Sequence, residues 1–154
     1  MKLSERLNEK CIRIGSKSND KRSLIEELVD VAVSAHGLKH RDQILESVLE
    51  RESKMSTGIG CGLGVPHAKV DCVDQMYLVG MSVRSGLDFE AIDKEPVYLL
   101  FLMISPLNTV GPHIRALSSV SRIMADAPSR RALIEAESPE QFMQILRTAE
   151  EKYL

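Results

Sequence analysis

His67 closes an unusual run, STGIGCGLGVPH, which occupies residues 56–67. A neutral imidazole is a good nucleophile near physiological pH, and phosphoryl transfer to its nitrogen needs mainly positioning and donors to the phosphoryl oxygens. Two residues elsewhere suit the donor role. Arg51 has a planar guanidinium that matches phosphate, and His113 lies near a predicted helix start. These three side chains form a candidate site for phosphoryl chemistry.

The segment before His67 has glycine at every second position, at Gly58, Gly60, Gly62 and Gly64. A period of two predicts an extended strand with one face free of side chains, where a backbone or a ligand can approach. We expect Pro66 to help end this strand and the imidazole to lie beside exposed backbone N–H groups. The candidate phosphate loop consists of Gly60, Cys61, Gly62 and Gly64.

A purely structural interpretation of this segment stays open. Alternating glycines can serve only the tight packing of strands, and a histidine at a strand end is often an ordinary surface residue. Nucleotide binding is poorly supported, because no Gly-Lys-Ser/Thr follows the glycines and their spacing does not fit G-x-G-x-x-G.

The other reactive side chains form weaker patterns. His36 and His40 have the spacing of metal ligands on a helix, but Gly37 predicts a helix end between them, so we expect a solvated pair. Ser105 with His113 would make a nucleophile and a base, yet no serine lies in G-x-S-x-G. No C-x-x-C pair occurs among Cys11, Cys61 and Cys72. We expect reduced thiols, no metal and no cofactor.

Composition bounds the class of protein. The 154 residues are 44% hydrophobic and 27% charged, which predicts one folded domain over residues 1–154. Lys and Arg number 20 against 22 Asp and Glu, a net charge of −2, which argues against a nucleic-acid partner. The longest apolar run, residues 97–104, is far shorter than the ~20 residues of a membrane-spanning helix. The charged start, MKLSERLNEK, is unlike a signal peptide, so we expect a cytoplasmic protein without membrane insertion.

Apolar periodicity and turn residues predict alternating strands and helices. We expect strands at 11–14, 76–83 and 97–104, and helices at 21–36, from about 41, after Pro112, and from about 129 and 138. The residues expected to be buried in the helix after Pro112 are Ile114, Leu117, Val120 and Met124. In the segment before the third strand they are Leu87, Phe89 and Ile92. The order predicts an α/β fold, a single-domain sandwich with a mixed β-sheet flanked by helices.

Four stretches of the chain resemble one known family. They are RESKMSTGIGCGLGVPHAK at 51–69, LDFEAID at 87–93, PVYLLFLMISP at 96–106 and HIRAL at 113–117. Together they are similar to enzyme IIA domains of the fructose/mannitol type in the bacterial phosphoenolpyruvate-dependent phosphotransferase system. The resemblance implies that His67 accepts a phosphoryl group from a phosphorylated histidine-containing carrier protein and passes it on as a phosphohistidine. It also implies that Arg51 contacts the phosphoryl oxygens and that His113 supports the site with a hydrogen bond.

The resemblance leaves three functions open. In the nitrogen-regulatory branch, which the length and the LDFEAID segment favour, the phosphorylation state acts on a regulatory protein target. A free-standing fructose-type domain for sugar uptake would instead pass phosphate to a cysteine-bearing IIB domain. A third function, of another class, is a regulatory binding module that needs no phosphate turnover. Around His67, a docking patch for partners could be framed by Leu63, Val65 and Ile114.

Two positions depart from the family pattern. Cys61 stands where the family often has a polar or acidic residue, and Lys94 follows Asp93 where a glycine is common. The first change removes a source of repulsion toward phosphate or alters which partner is recognised. The second affects a turn at some distance from His67.

Overall fold

Two long antiparallel strands, β5 (Tyr77–Leu87) and β6 (Val97–Pro106), form the centre of the fold. The structure is a computed structural model, and it describes all residues from 1 to 154. A short strand, β1 (Ile12–Arg13), pairs parallel with β5, after two 3₁₀ turns at Leu3–Glu5 and Glu9–Cys11. The strands predicted at 11–14, 76–83 and 97–104 all exist, although the first is shorter and the other two are longer than expected.

The other side of β6 is shared by two short strands. β3 (Leu63–Gly64) pairs parallel with its first half, and β4 (His67–Val70) pairs parallel with its second half. β2 (Gly58–Gly60) pairs antiparallel with β3. The strand order is therefore β1-β5-β6-β3-β2, with β4 beside β6. The predicted mixed sheet is confirmed.

Five α-helices cover the two faces of the sheet. α1 (Lys21–His36) and α2 (Arg41–Lys54) pack on one face, and α3 (Gly111–Met124), α4 (Ala127–Glu135) and α5 (Pro139–Tyr153) pack on the other. None of these helices combines the length and apolarity that a membrane span requires. The expected sandwich is thus confirmed.

The side chains of β6 alternate between two apolar cores. Leu99 and Phe101 face the α3–α5 side, whereas Leu100 and Leu102 face α1 and α2. A strand buried on both faces needs a continuous apolar run, which explains why residues 97–104 lack the polar alternation of a surface strand.

Several helix ends lie where the sequence predicts. Asp20 and Ser138 accept hydrogen bonds from backbone N–H groups in the first turns of α1 and α5. Gly37 ends α1 in the left-handed region, at φ 62°. Pro112 lies in the first turn of α3, where its missing N–H costs nothing. α4 begins two residues before the expected position, because Asp126 caps it.

Two predicted core residues lie on the surface, Ile114 at 59% exposure and Ile92 at 62%. In α3 the buried face begins one residue earlier, at His113, and continues through Ala116. In the segment after β5, Ala91 takes the buried position and Ile92 points outward. The other predicted core residues of the two segments, Leu117, Val120, Met124, Leu87 and Phe89, are buried or partly buried, so each error is confined to one residue.

The glycine-rich segment is a hairpin and not the predicted single strand. Cys61 and Gly62 have φ values of 56° and 72°, and this pair of left-handed residues reverses the chain between β2 and β3. A side chain at Gly58 would lie 2.6 Å from the Cβ of Ala91, so that glycine permits close packing. Positive φ requires glycine only near the tip of the hairpin. The spacing did not reveal the turn, because alternating glycines fit a tight turn as well as a strand.

The turn residue Cys61 offers a test of this geometry. Two-residue turns with positive φ favour Asn followed by Gly, so we expect Cys61→Asn to raise the free energy of unfolding by roughly 0.5 kcal/mol. Cys61→Val should lower it by about 1 kcal/mol, because β-branched residues are disfavoured in this region. Urea denaturation of the two variants checks the expectation, and equal effects would contradict the turn assignment.

Candidate functional site

His67 is the first residue of β4, which begins directly after Pro66. β3 ends at Gly64, before Pro66, as expected, but His67 begins a new strand and does not close the old one, because its backbone pairs with Met103 of β6. The His67 Nδ1 atom lies 2.8 Å from the carbonyl oxygen of Val65. Since a carbonyl only accepts hydrogen bonds, Nδ1 carries the proton and donates it. In the neutral ring, the lone pair is therefore on Nε2.

The surroundings of His67 favour its neutral form. Burial of the ring lowers its pKa below the ordinary value of 6.5, and the cations Arg51 and Lys69 lower it further. The hydrogen bond to Val65 and the negative charge of Glu52 act in the opposite direction without cancelling the effect. The imidazole of His67 is accordingly uncharged at neutral pH.

His113 faces His67 from the first turn of α3. The two ring centroids are 5.1 Å apart and the rings meet edge to face, at 64°. His113 is 7% exposed, and its Nδ1 lies 3.3 Å from the hydroxyl oxygen of Ser105. Burial, with added repulsion from His67 and Lys69, lowers the pKa of His113 to about 4. The second imidazole is neutral as well.

Arg51 lies in the last turn of α2, where its Nη1 donates a 2.9 Å hydrogen bond to the carbonyl oxygen of Met55. That bond caps the helix end, and Arg51 lines a cleft of about 460 Å³. The cleft is lined by Ser47, Glu50, Arg51, Lys54, His67, Ala68, Lys69 and His113. The structure thus brings together the three side chains that the sequence singled out.

Two lysines of the cleft were missed by the sequence analysis. Lys69 lies two residues after His67 on β4, and alternate residues of a strand share a face. That spacing could have identified it. Lys54 lies three residues after Arg51. Residues three apart are neighbours on a helix surface, so the two cations lie side by side at the end of α2. With Arg51, the two lysines outnumber Glu50, the one carboxylate of the lining, and give the cleft a net positive charge suited to an anion.

The candidate phosphate loop does not line this cleft. Cys61 is exposed at the hairpin tip, a side chain at Gly62 would meet Tyr98, and Gly64 packs against Leu100 in the core. The structure therefore places Gly60, Cys61, Gly62 and Gly64 apart from the cluster of Arg51, His67 and His113.

The base of the hairpin, in contrast, holds His67 in place. The Val65 N–H donates to the Thr57 carbonyl oxygen at 3.0 Å, and the Val65 carbonyl accepts from His67. Thr57 is fixed in turn by Glu52, whose carboxylate accepts from the Thr57 N–H at 2.9 Å and from its hydroxyl at 2.6 Å. Glu52 is 5% exposed and forms a 2.9 Å ion pair with Lys21. A buried carboxylate thereby anchors the segment that leads into His67.

A larger pocket, about 680 Å³, lies between the start of α1 and the end of α2. It is lined by the Lys21–Glu52 pair but by neither histidine. Chemistry at the imidazoles therefore belongs to the smaller cleft.

The prediction that His36 and His40 are both solvated is correct for His40 and wrong for His36. His40 is exposed, but His36 is half-buried, with Nε2 3.0 Å from the Leu78 carbonyl and 3.3 Å from the Cys11 sulfur. The hydrogen bond to Cys11 raises the pKa of His36. Burial raises the pKa of Cys11, yet His36 and Asn8 outweigh burial and lower it overall. Packing of the 3₁₀ turn at Glu9–Cys11 against α1 produces this contact.

His113 makes stability depend on pH. Its pKa is about 4 in the folded protein against an ordinary 6.5, so the unfolded chain takes up the proton first as the pH falls. The contribution of neutral His113 to the free energy of unfolding is therefore complete above pH ~6.5 and is lost as the pH falls toward ~4. Between pH 7.5 and 4.5, we expect the wild type to lose about 2 kcal/mol more stability than His113→Gln. Urea denaturation at both pH values measures this difference, and parallel losses would contradict it.

The chain belongs to the family described as phosphoenolpyruvate-dependent sugar phosphotransferase system, EIIA 2, whose model matches residues 5–149. The resemblance noted in the sequence is thereby confirmed.

Curated relatives of two kinds are similar to the chain. The fructose-specific EIIA component of Haloferax volcanii is 38% identical over 126 residues, which cover 82% of each protein. The nitrogen regulatory protein of Klebsiella oxytoca is 34% identical over 151 residues, 97% of this chain and 92% of the relative. The fructose-specific EIIABC component of Bacillus subtilis is 34% identical over 95% of this chain, but that match spans 23% of the longer protein.

Solved structures agree with the fold. The nitrogen regulatory protein IIA-Ntr of Neisseria meningitidis superposes with a TM-score of 0.86 and 27% identity, over 94% of this chain and 98% of that one. Enzyme IIA in the complex of mannitol IIA with phosphorylated mannitol IIB, from Escherichia coli, gives a TM-score of 0.80 at 20% identity, over 92% and 97% of the two chains.

Proposed function

We propose that this protein is a phosphoryl carrier in which His67 Nε2 accepts a phosphoryl group from the phosphohistidine of a histidine-containing phosphocarrier protein. One observation carries the proposal: the 2.8 Å bond to Val65 holds the proton on Nδ1 and leaves Nε2 as the free nucleophile of the cleft. The ring is neutral at the pH of the cell, so no proton has to be removed before attack.

The transfer step balances without a cofactor. The Nε2 lone pair forms a bond to phosphorus as the nitrogen–phosphorus bond of the donor breaks, and the donor imidazole recovers its lone pair. His67 then carries positive charge on its ring, which the Val65 carbonyl stabilises through the Nδ1 proton. The negative charge on the phosphoryl oxygens is balanced by three cations of the cleft, Arg51, Lys54 and Lys69. The neutral ring of His113 supports the site with a hydrogen bond.

Partners dock on the surface around the cleft in this proposal. Leu107, Val110 and Ile114 are 61%, 59% and 59% exposed near the start of α3, and they supply an apolar contact beside His113. Leu63 and Val65, expected to frame the patch, are buried at 3% and 2% and do not contribute. A small interface suits a carrier that must release each partner quickly.

The nitrogen-regulatory role is the favoured branch, in which the phosphorylation state of His67 controls a regulatory protein target. Support comes from the relative that matches 97% of this chain and from the TM-score of 0.86 with IIA-Ntr. The 38% identity to a fructose-specific EIIA component supports the alternative, a sugar-uptake component that passes phosphate to a IIB domain. The structure of mannitol IIA with phosphorylated IIB shows the kind of acceptor this alternative needs.

The proposal is tested by intact-protein mass spectrometry after incubation with phosphoenolpyruvate, enzyme I and the histidine-containing phosphocarrier protein. We expect one acid-labile phosphoryl adduct. Adding a fructose-type IIB domain then separates the branches, because only a sugar-uptake component should transfer the adduct to the IIB cysteine rapidly. A folded protein that stays unmodified, and that binds a partner equally with or without these reagents, would point to the phosphate-independent binding module.

A further inference from the structure

Ser105 is a buried hydroxyl that the phosphoryl-transfer step, as described so far, does not use. It is the last buried residue of β6, and none of its surface is exposed. It pairs with Lys69 across the parallel strands, so its side chain points to the same side of the sheet as the cleft lysine. Its hydroxyl oxygen lies 3.3 Å from His113 Nδ1.

The direction of this hydrogen bond follows from the available partners. The Ser105 hydroxyl has no hydrogen-bond partner other than His113. If Nδ1 carried the proton and donated it, the serine hydrogen would be left without an acceptor in a fully buried position, which is unfavourable. If the hydroxyl donates to Nδ1 instead, both groups are satisfied. The buried geometry therefore favours a lone pair on Nδ1 and the proton on Nε2.

We infer that Ser105 is a positioning residue that holds neutral His113 in the Nε2–H tautomer. His113 then presents its single N–H from the nitrogen that Ser105 does not occupy, in the cleft it shares with His67. The role in transfer rests on the proposed function: with a phosphoryl group on His67 Nε2, this N–H donates to a phosphoryl oxygen. The opposite tautomer would present a lone pair to those oxygens and repel them.

The tautomer can be measured without any phosphoryl transfer. Two-dimensional ¹⁵N–¹H NMR of the unphosphorylated wild type at pH 7.5 should show His113 Nε2 as the protonated nitrogen and Nδ1 as the unprotonated one. Ser105→Ala removes the donor and should move the population toward Nδ1–H. Ser105→Thr keeps a hydroxyl and should preserve the wild-type pattern. A wild type with the proton on Nδ1, or Ser105→Ala with an unchanged tautomer, would overturn the inference.

Transfer rates test the functional consequence. Ser105→Ala should slow phosphoryl acceptance by His67 about tenfold, which corresponds to a rise of about 1.4 kcal/mol in the barrier. The rate for Ser105→Thr should stay within about twofold of the wild-type rate, because threonine keeps the hydroxyl that donates the hydrogen bond to His113. Ser82→Ala is the matched control, because Ser82 is a fully buried strand serine whose hydroxyl accepts from the Gly15 N–H.

The outcomes separate the two proposals. If Ser105→Ala changes the tautomer but accepts phosphate at the wild-type rate, the positioning role in transfer is wrong. If Ser82→Ala slows acceptance as much as Ser105→Ala, the effect is general destabilisation and the role is also overturned. If the wild type accepts no phosphate at all, the proposed function fails, while the NMR result still decides the tautomer.

Discussion

His67→Ala is expected to abolish phosphoryl acceptance, with no adduct above background after incubation with phosphoenolpyruvate, enzyme I and the phosphocarrier protein. The variant lacks the only ring nitrogen that combines an available lone pair, a neutral state and a place among the cations of the cleft. His113 is not expected to take over, because in the inferred tautomer its Nε2 carries the proton and the Ser105 hydroxyl occupies its Nδ1.

The loss must be separated from unfolding. His67→Ala removes one hydrogen bond, to Val65, so its free energy of unfolding should fall by only about 1 kcal/mol. His40→Asn is the matched control, because His40 is exposed, lies outside the cleft and has the positive φ that asparagine tolerates. That control should accept phosphate at the wild-type rate. An adduct of equal size on His67→Ala would assign the acceptor to another residue.

Glu52→Ala should have the largest effect on stability, a loss of about 3–5 kcal/mol in the free energy of unfolding. The substitution leaves Lys21 without its ion-pair partner. It also leaves the N–H and hydroxyl of Thr57, a residue that is only 4% exposed, without a hydrogen-bond acceptor. Urea denaturation followed by circular dichroism measures the loss. Because Thr57 anchors Val65 and Val65 anchors His67, transfer should also slow at temperatures where the variant remains folded.

Two variants on α2 test the cause. Glu50→Ala removes a carboxylate that is 71% exposed and 4.0 Å from Lys54, and exposed pairs contribute little, so the change should be below about 0.5 kcal/mol. Glu52→Gln keeps the shape and part of the hydrogen bonding, and it should fall between the wild type and Glu52→Ala. Equal losses for Glu50→Ala and Glu52→Ala would show that the buried pair has no special role.

Much of the fold could be predicted because its signals are local. Asp20 and Ser138 start helices, Gly37 ends one, and the uniformly apolar run of β6 indicates a strand covered on both faces. The glycine-rich segment was misread because period-two glycines are compatible with a strand and with a two-residue turn. Only the positive φ of Cys61 and Gly62 distinguishes the two conformations.

The sequence predicted which residues form the site better than it predicted which residues hold them in place. Arg51, His67 and His113 were identified by residue type, and they lie together in the structure. Their supports depend on contacts between distant segments, which a single sequence does not display. Lys21 reaches Glu52 only because α1 packs on α2, and Ser105 meets His113 only because α3 folds back over the end of β6.

The central position of β6 also governs what happens when folding fails. Its ten residues, Val97–Pro106, include no charged side chain, and in the native protein they have β5 on one edge and β3 with β4 on the other. Uncharged segments rich in β-forming residues self-associate when they are exposed. A variant that opens the hairpin or releases β4 would uncover this edge, so we expect loss of native structure in this protein to lead to aggregation more readily than to a soluble unfolded chain.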